Sequence, residues 1–129
     1  LDNIRCEFGC AGRSWYSDHG TLDINISEHK TDAALNSERK YLISEFQERG
    51  GFEKFSVDYL PVETYLGYFQ PETEGTKFSL FSLVSTDKNY MITIWEMIDS
   101  DRVEDEDFQL HIKIVTQLAK TQWEKINNQ

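Results

Sequence analysis

The chain has 129 residues, the size of one folding unit with one core, and 39% are hydrophobic, including eight Phe, six Tyr and three Trp, which argues against a disordered chain. Its 23 acidic residues outnumber 13 basic ones for a formal net charge of -10. Such a surface repels phosphate backbones and anionic lipid, and no apolar run approaches the ~20 residues that span a bilayer, so neither nucleic acid nor membrane insertion is expected.

From Leu1 to about Asp18 the pattern is irregular, with Gly9 and Gly12 among Phe8, Trp15 and Tyr16, and reads as a short strand or loop packed by its aromatics. The start at Leu1, without an initiator Met, suits a processed or excised form, from which a signal peptide or an expression segment has been trimmed. Cys6 and Cys10 are separated by Glu7-Phe8-Gly9, so their sulfurs can meet if the loop turns at Gly9. The expectation is a disulfide that ties down the N-terminus, with free thiols or a metal contact as alternatives. A bridge implies an oxidising compartment, hence a periplasmic or secreted protein.

Thr21 to Ser27 alternates Leu22, Ile24 and Ile26 against Asp23 and Asn25, the pattern of a strand with one wet face. Thr31 to Arg49 predicts a helix capped at Asn36 or Asp32 and closed by Gly50-Gly51, with Leu35, Leu42, Ile43 and Phe46 on its buried stripe. Glu38, Arg39, Lys40, Glu45 and Glu48 take the remaining helix surface. Phe55, Val57 and Tyr59 alternate with Ser56 and Asp58 as a further strand, and Glu63 to Phe69 is another. After the turn-rich Pro71-Glu72-Thr73-Glu74-Gly75, the segments Lys77 to Ser85 and Tyr90 to Met97 are apolar on both faces and are joined by a hairpin at Asp87-Lys88-Asn89. Two-sided strands belong at the centre of a sheet. A final helix begins with a capping box, Asp101 to Glu104, and buries Phe108, Ile112, Val115 and Ala119, widened by Leu118 and Trp123. The fold class expected is therefore α+β: one domain over residues 1–129, with a mostly antiparallel sheet of about five or six strands flanked by two helices.

Catalytic signatures are not found. Ser17-Asp18-His19 contains the letters of a triad, but adjacent residues do not point at one another in the required order, and turn residues are the simpler reading. His19, His29 and His111 lack ligand spacing, so no metal and no cofactor is expected. The acidic run Asp99, Asp101, Glu104, Asp105, Glu106 and Asp107 lacks the bend glycine of a calcium loop and suits the positive end of a helix dipole. Its second reading is a docking surface for a basic or mixed-charge protein. Tyr65, Tyr68 and Phe69, with Trp15 and Tyr16, read first as core packing and second as an aromatic patch of a docking interface.

The early Leu22-x-Ile24-x-Ile26 strand, the closing Tyr90-Met91-Ile92-Thr93-Ile94-Trp95 strand and the long helix after it give an element order that resembles the PsbP-like superfamily and its DcrB-like relatives, from Trp15 to Trp123. The resemblance implies a central antiparallel sheet flanked by helices and a non-enzymatic accessory or binding role. It carries no functional residue across.

Three functions follow as expectations. The first is a non-enzymatic extracytoplasmic inhibitor or immunity-type protein that neutralises a secreted toxin or enzyme by docking onto it. The second is an accessory subunit of an envelope or lumenal assembly. The third is a small carboxylate-dependent hydrolase, which requires a concave pocket holding a carboxylate pair with one raised pKa. A ligand carrier would need a large apolar cavity. Whether the chain pairs with itself as a homodimer stays open at this stage.

Overall fold

The computed structural model describes residues 2–6, 10–17, 20–48, 51–69, 79–98 and 105–128, with the backbone alone described for 2–17, 51–52, 69 and 105–107. The strands are β1 (Asp2–Cys6), β2 (Cys10–Ser17), β3 (Gly20–Glu28), β4 (Gly51–Lys54), β5 (Glu63–Phe69), β6 (Ser79–Asp87) and β7 (Tyr90–Ile98). They form one sheet in the order β1-β2-β3-β7-β6-β5-β4, antiparallel at every pairing. Helix α1 (Asp32–Gln47) and helix α2 (Asp105–Asn127) complete the expected α+β class. The β1–β2 hairpin extends the sheet within the segment whose sequence pattern is irregular.

The two apolar strands are central because each face of them has its own helix. On β6, Phe81 and Leu83 face α2 while Leu80 and Val84 face α1, and on β7 Ile92 and Ile94 face α2 while Met91 faces α1. The α2-side core closes over Val115, Ala119 and Trp123, and the α1-side core over Leu35 and Phe46. Phe46 meets Trp95 edge-on, with ring centroids 4.7 Å apart. The register runs Leu66, Leu83, Ile94 and Ile24 in one row across four strands, so β3 lays its apolar face into the α2-side core.

Three local expectations are corrected. The cap of α1 is Thr31, whose side-chain oxygen accepts the Ala34 N–H at 3.1 Å, rather than Asn36 or Asp32. Asp32 sits in the first turn, where its charge meets the helix dipole. Residues 55–58 alternate in burial as expected, but Tyr59 is exposed, and the segment lies outside the sheet: β4 ends at Lys54, and Phe55, Val57 and Leu60 pack against the α2-side core. Alternation requires only an extended chain with one buried side, and the ladder continues by a single bond, from Phe55 N–H to the Thr64 carbonyl. Arg39, placed by the sequence pattern on the outer surface of α1, turns towards the sheet and donates to Thr86 Oγ1 at 3.0 Å.

Backbone geometry is demanding at two points. Lys88 takes φ 55° in the two-residue loop between Asp87 and Tyr90. Gly20 takes φ 154° where β3 meets the end of β7, and a Cβ there would collide with the Met97 carbonyl oxygen. The Gly50 end of α1, the Pro71–Gly75 loop, Phe78 and the Asp101–Glu104 capping box lie outside the described residues.

Buried hydroxyls fasten the α2 side. Trp123 Nε1–H donates to Ser85 Oγ at 3.0 Å, Ser85 meets Thr64 Oγ1 at 2.7 Å, and Thr64 donates to the Pro61 carbonyl at 2.8 Å. Thr64 spends its one proton on Pro61, so the Ser85 hydroxyl is the donor to Thr64. On the α1 side Ser82 Oγ is buried without a hydrogen-bond partner among the described residues. These two serines of one strand should respond oppositely to alanine. Ser85→Ala orphans the Trp123 N–H and lowers unfolding stability by about 1–3 kcal/mol, whereas Ser82→Ala removes an unmet hydroxyl and raises it by about 1 kcal/mol. Urea denaturation with an unchanged m value measures both.

Candidate functional site

A helix is ~10 Å across and neighbouring strands lie ~4.8 Å apart, so one helix covers about two strands. Helix α2 lies on β6 and β7, and the same face of β5 is covered by residues 55–60 instead. Between these two covers a cleft of about 370 Å³ opens, lined by Phe55, Leu66, Tyr68, Phe81, Phe108 and Ile112. Three of the rings form a cluster: Tyr68 lies 4.8 Å from Phe81 and 5.1 Å from Phe108, and Phe81 lies 5.4 Å from Phe108. Glu53 and Lys54 border the cleft from β4. Glu53 pairs in register with Leu66 and shares its face, while Lys54 pairs with Tyr65 and sends its ammonium to Glu63, 3.7 Å away on the opposite face.

Beside the cleft, His111 stacks on Phe81 at 5.2 Å and holds Glu96 Oε1 through Nδ1 at 2.6 Å. Glu96 sits on β7 between Phe81 and Leu22, its register partners on either side. That burial raises its carboxyl pKa above the ordinary glutamate value, against the opposing pull of His111. The pair joins α2 to the sheet.

On the α1 side a second polar cluster forms at the β5 start. Tyr65 donates to Glu63 Oε2 at 2.8 Å, and Arg39 Nε lies 3.9 Å from the same oxygen. The tyrosine hydrogen bond is the largest influence and lowers the Glu63 pKa; desolvation, next in size, opposes it, and the charges of Arg39 and Lys54 add to the lowering. The same hydrogen bond raises the Tyr65 pKa. A polar hollow of about 330 Å³ opens there, bordered by Arg39, Glu63, Thr86 and Lys88. Asp32 and Asp87 border it as well, so three carboxylates face the two cations Arg39 and Lys88.

The structure separates two of the sequence-predicted contact residues. Tyr65 packs with the α1-side core and Tyr68 with the α2-side core, so they do not form one patch. The Phe69 side chain lies outside the described residues, as do Asp99, Asp101 and Glu104 and the side chains of Asp105, Glu106 and Asp107. Asp18 and His19, and the side chains of Trp15, Tyr16 and Ser17, also lie outside them. β1 and β2 bring Cys6 opposite Cys10 in register, and the sulfurs are outside the described residues. Among the described residues no group of three His, Cys, Asp or Glu is placed to hold a metal ion, and no helix is long and apolar enough to cross a membrane.

Glu96 and His111 were not singled out as a pair by the sequence pattern, although each leaves a trace. Glu96 is the one charge in an apolar two-sided strand, and His111 follows Phe108 by three positions on the buried stripe of α2. Arg39 leaves a similar trace, one helical turn after Leu35.

Comparison with protein families, curated proteins and solved structures gives no match to this chain, so its function is argued from these residues.

Between the unfolded and the folded pKa of Glu96 the folded chain binds more protons than the unfolded one, so stability falls as pH rises through that window. Glu96→Gln keeps a hydrogen bond to His111 and loses this dependence. Its stability relative to the parent chain should be constant below the ordinary glutamate pKa and grow in its favour above it, as read from unfolding midpoints across pH.

Proposed function

We propose that this chain is a non-enzymatic, extracytoplasmic binding protein that acts by docking, as an inhibitor or immunity-type protein covering a secreted toxin or enzyme. The observation that carries the reading is the charge, -10 on 129 residues. Such a field draws in a basic or mixed-charge protein and sets the rate of encounter more than the final affinity. The acidic run from Asp99 to Asp107 leads into α2 and is the densest part of that field. Periplasmic or secreted location is supported by the hairpin that sets Cys6 opposite Cys10, since Cα atoms of antiparallel partners stand roughly 4.5–5.5 Å apart, within the span of a disulfide.

The accessory-subunit reading shares the docking surface and differs in the permanence of the partner. The hydrolase reading gains less: its raised carboxyl, Glu96, is paired with an imidazole rather than with a second carboxylate.

Capture from a periplasmic and secreted extract at low salt separates these readings. The expected outcome is a basic protein that is retained, released as salt rises and inhibited in proportion to added chain. Retention of nothing at low salt overturns docking, and a partner that stays bound at high salt favours the accessory subunit. Replacing Asp105, Glu106 and Asp107 by their amides should slow association roughly tenfold and flatten its salt dependence.

A further inference from the structure

We infer that the aromatic cleft beneath α2 is a binding site for a compact organic cation with an apolar body. Its volume of about 370 Å³ falls in the range of small-molecule sites, and its lining is apolar apart from the groups at its mouth. The half-buried rings of Phe55, Tyr68 and Phe108 line it above the fully buried Phe81, and the negative face of an aromatic ring attracts a cation at close range. Tyr68 stands at 88° to Phe108, so these two lining rings are not one flat stack.

Charge decides which ligand suits these walls. Of the two charged residues at the mouth, Glu53 lies on the cleft side and is exposed, while the Lys54 ammonium is drawn to Glu63 on the other face. An anionic head would meet Glu53 and the field of a chain with net charge -10. A cationic head meets a carboxylate and ring faces together. The site is separate from the docking reading and would stand if no protein partner exists.

The test is titration of the intact chain with benzyltrimethylammonium, followed by side-chain NMR of Phe81, Phe108 and Ile112. Benzyl alcohol, benzenesulfonate and tetramethylammonium are the comparison probes. The expected result is a saturable shift of these resonances by benzyltrimethylammonium, about two- to fivefold tighter than benzyl alcohol, with no saturable shift from the other two. Glu53→Gln, an exposed substitution outside the core, should bring the cation down towards the affinity of benzyl alcohol. Ile112→Phe, which fills the cleft, should abolish binding in a chain that still unfolds cooperatively. Equal or tighter binding of benzyl alcohol or benzenesulfonate overturns the cationic assignment, and equal binding of tetramethylammonium reduces it to a general ion atmosphere. A failure of benzyltrimethylammonium to saturate at millimolar concentrations overturns the site itself.

Discussion

The hydrogen-bond relay from Trp123 through Ser85 and Thr64 to Pro61 is the constraint on which the α2 side of the molecule rests. Each hydroxyl in it has one proton to give, and the directions are fixed once Thr64 donates to the Pro61 carbonyl. All four groups are satisfied together only when α2, β6, β5 and the chain entering β5 are docked at once. A buried N–H or hydroxyl left over would cost more than any one of these bonds adds, so the relay selects a single seating of α2 against the sheet. It also holds down the end of the 55–60 segment that substitutes for a helix over β5.

The other end of α2 is held differently. About three turns towards its N-terminus, His111 reaches Glu96, so the helix has a neutral polar pin at Trp123 and a second pin to the titratable Glu96. Two glutamates on opposite faces of the sheet show how strongly surroundings decide behaviour. Glu63 sits among a donor hydroxyl and two cations and ionises more readily than usual, while Glu96 lies between Phe81 and Leu22 and ionises less readily. The consequence is opposite pH responses from one residue type: Glu63 contributes stability that fades as pH falls, and Glu96 contributes stability that fades as pH rises.

Much of the sheet was legible because burial leaves a period in the sequence. The two-sided runs of β6 and β7 announce central strands, and β3 alternates because only its α2 face is in a core. Phe55 and Val57 mislead for the same reason, since their alternation records a buried side and not a ladder, and Tyr59 falls on an exposed turn. Thr31 was passed over as a cap because Asp32 and Asn36 share its chemistry, and only the helix start, a long-range matter of packing, distinguishes them. The polar pairs were the least legible part. Glu96 to His111 and Arg39 to Glu63 join elements distant in the chain, and pairing of that kind depends on register and helix azimuth rather than on local pattern.

The cleft belongs to a different category, because no residue in it is unusual. Phe55, Phe81 and Phe108 read as core aromatics and Tyr68 as a candidate interface aromatic, and all four contribute to the core. The opening arises from a mismatch of widths: a helix covers two strands, the sheet beyond β6 continues through β5 and β4, and the substitute cover is a short irregular segment that turns at Asp58-Tyr59. Such a gap could have been closed by one larger residue at Ile112 or Leu66. That it stays open with a carboxylate on its rim is a property of the assembled layers, and it is where the chemistry of this face is decided.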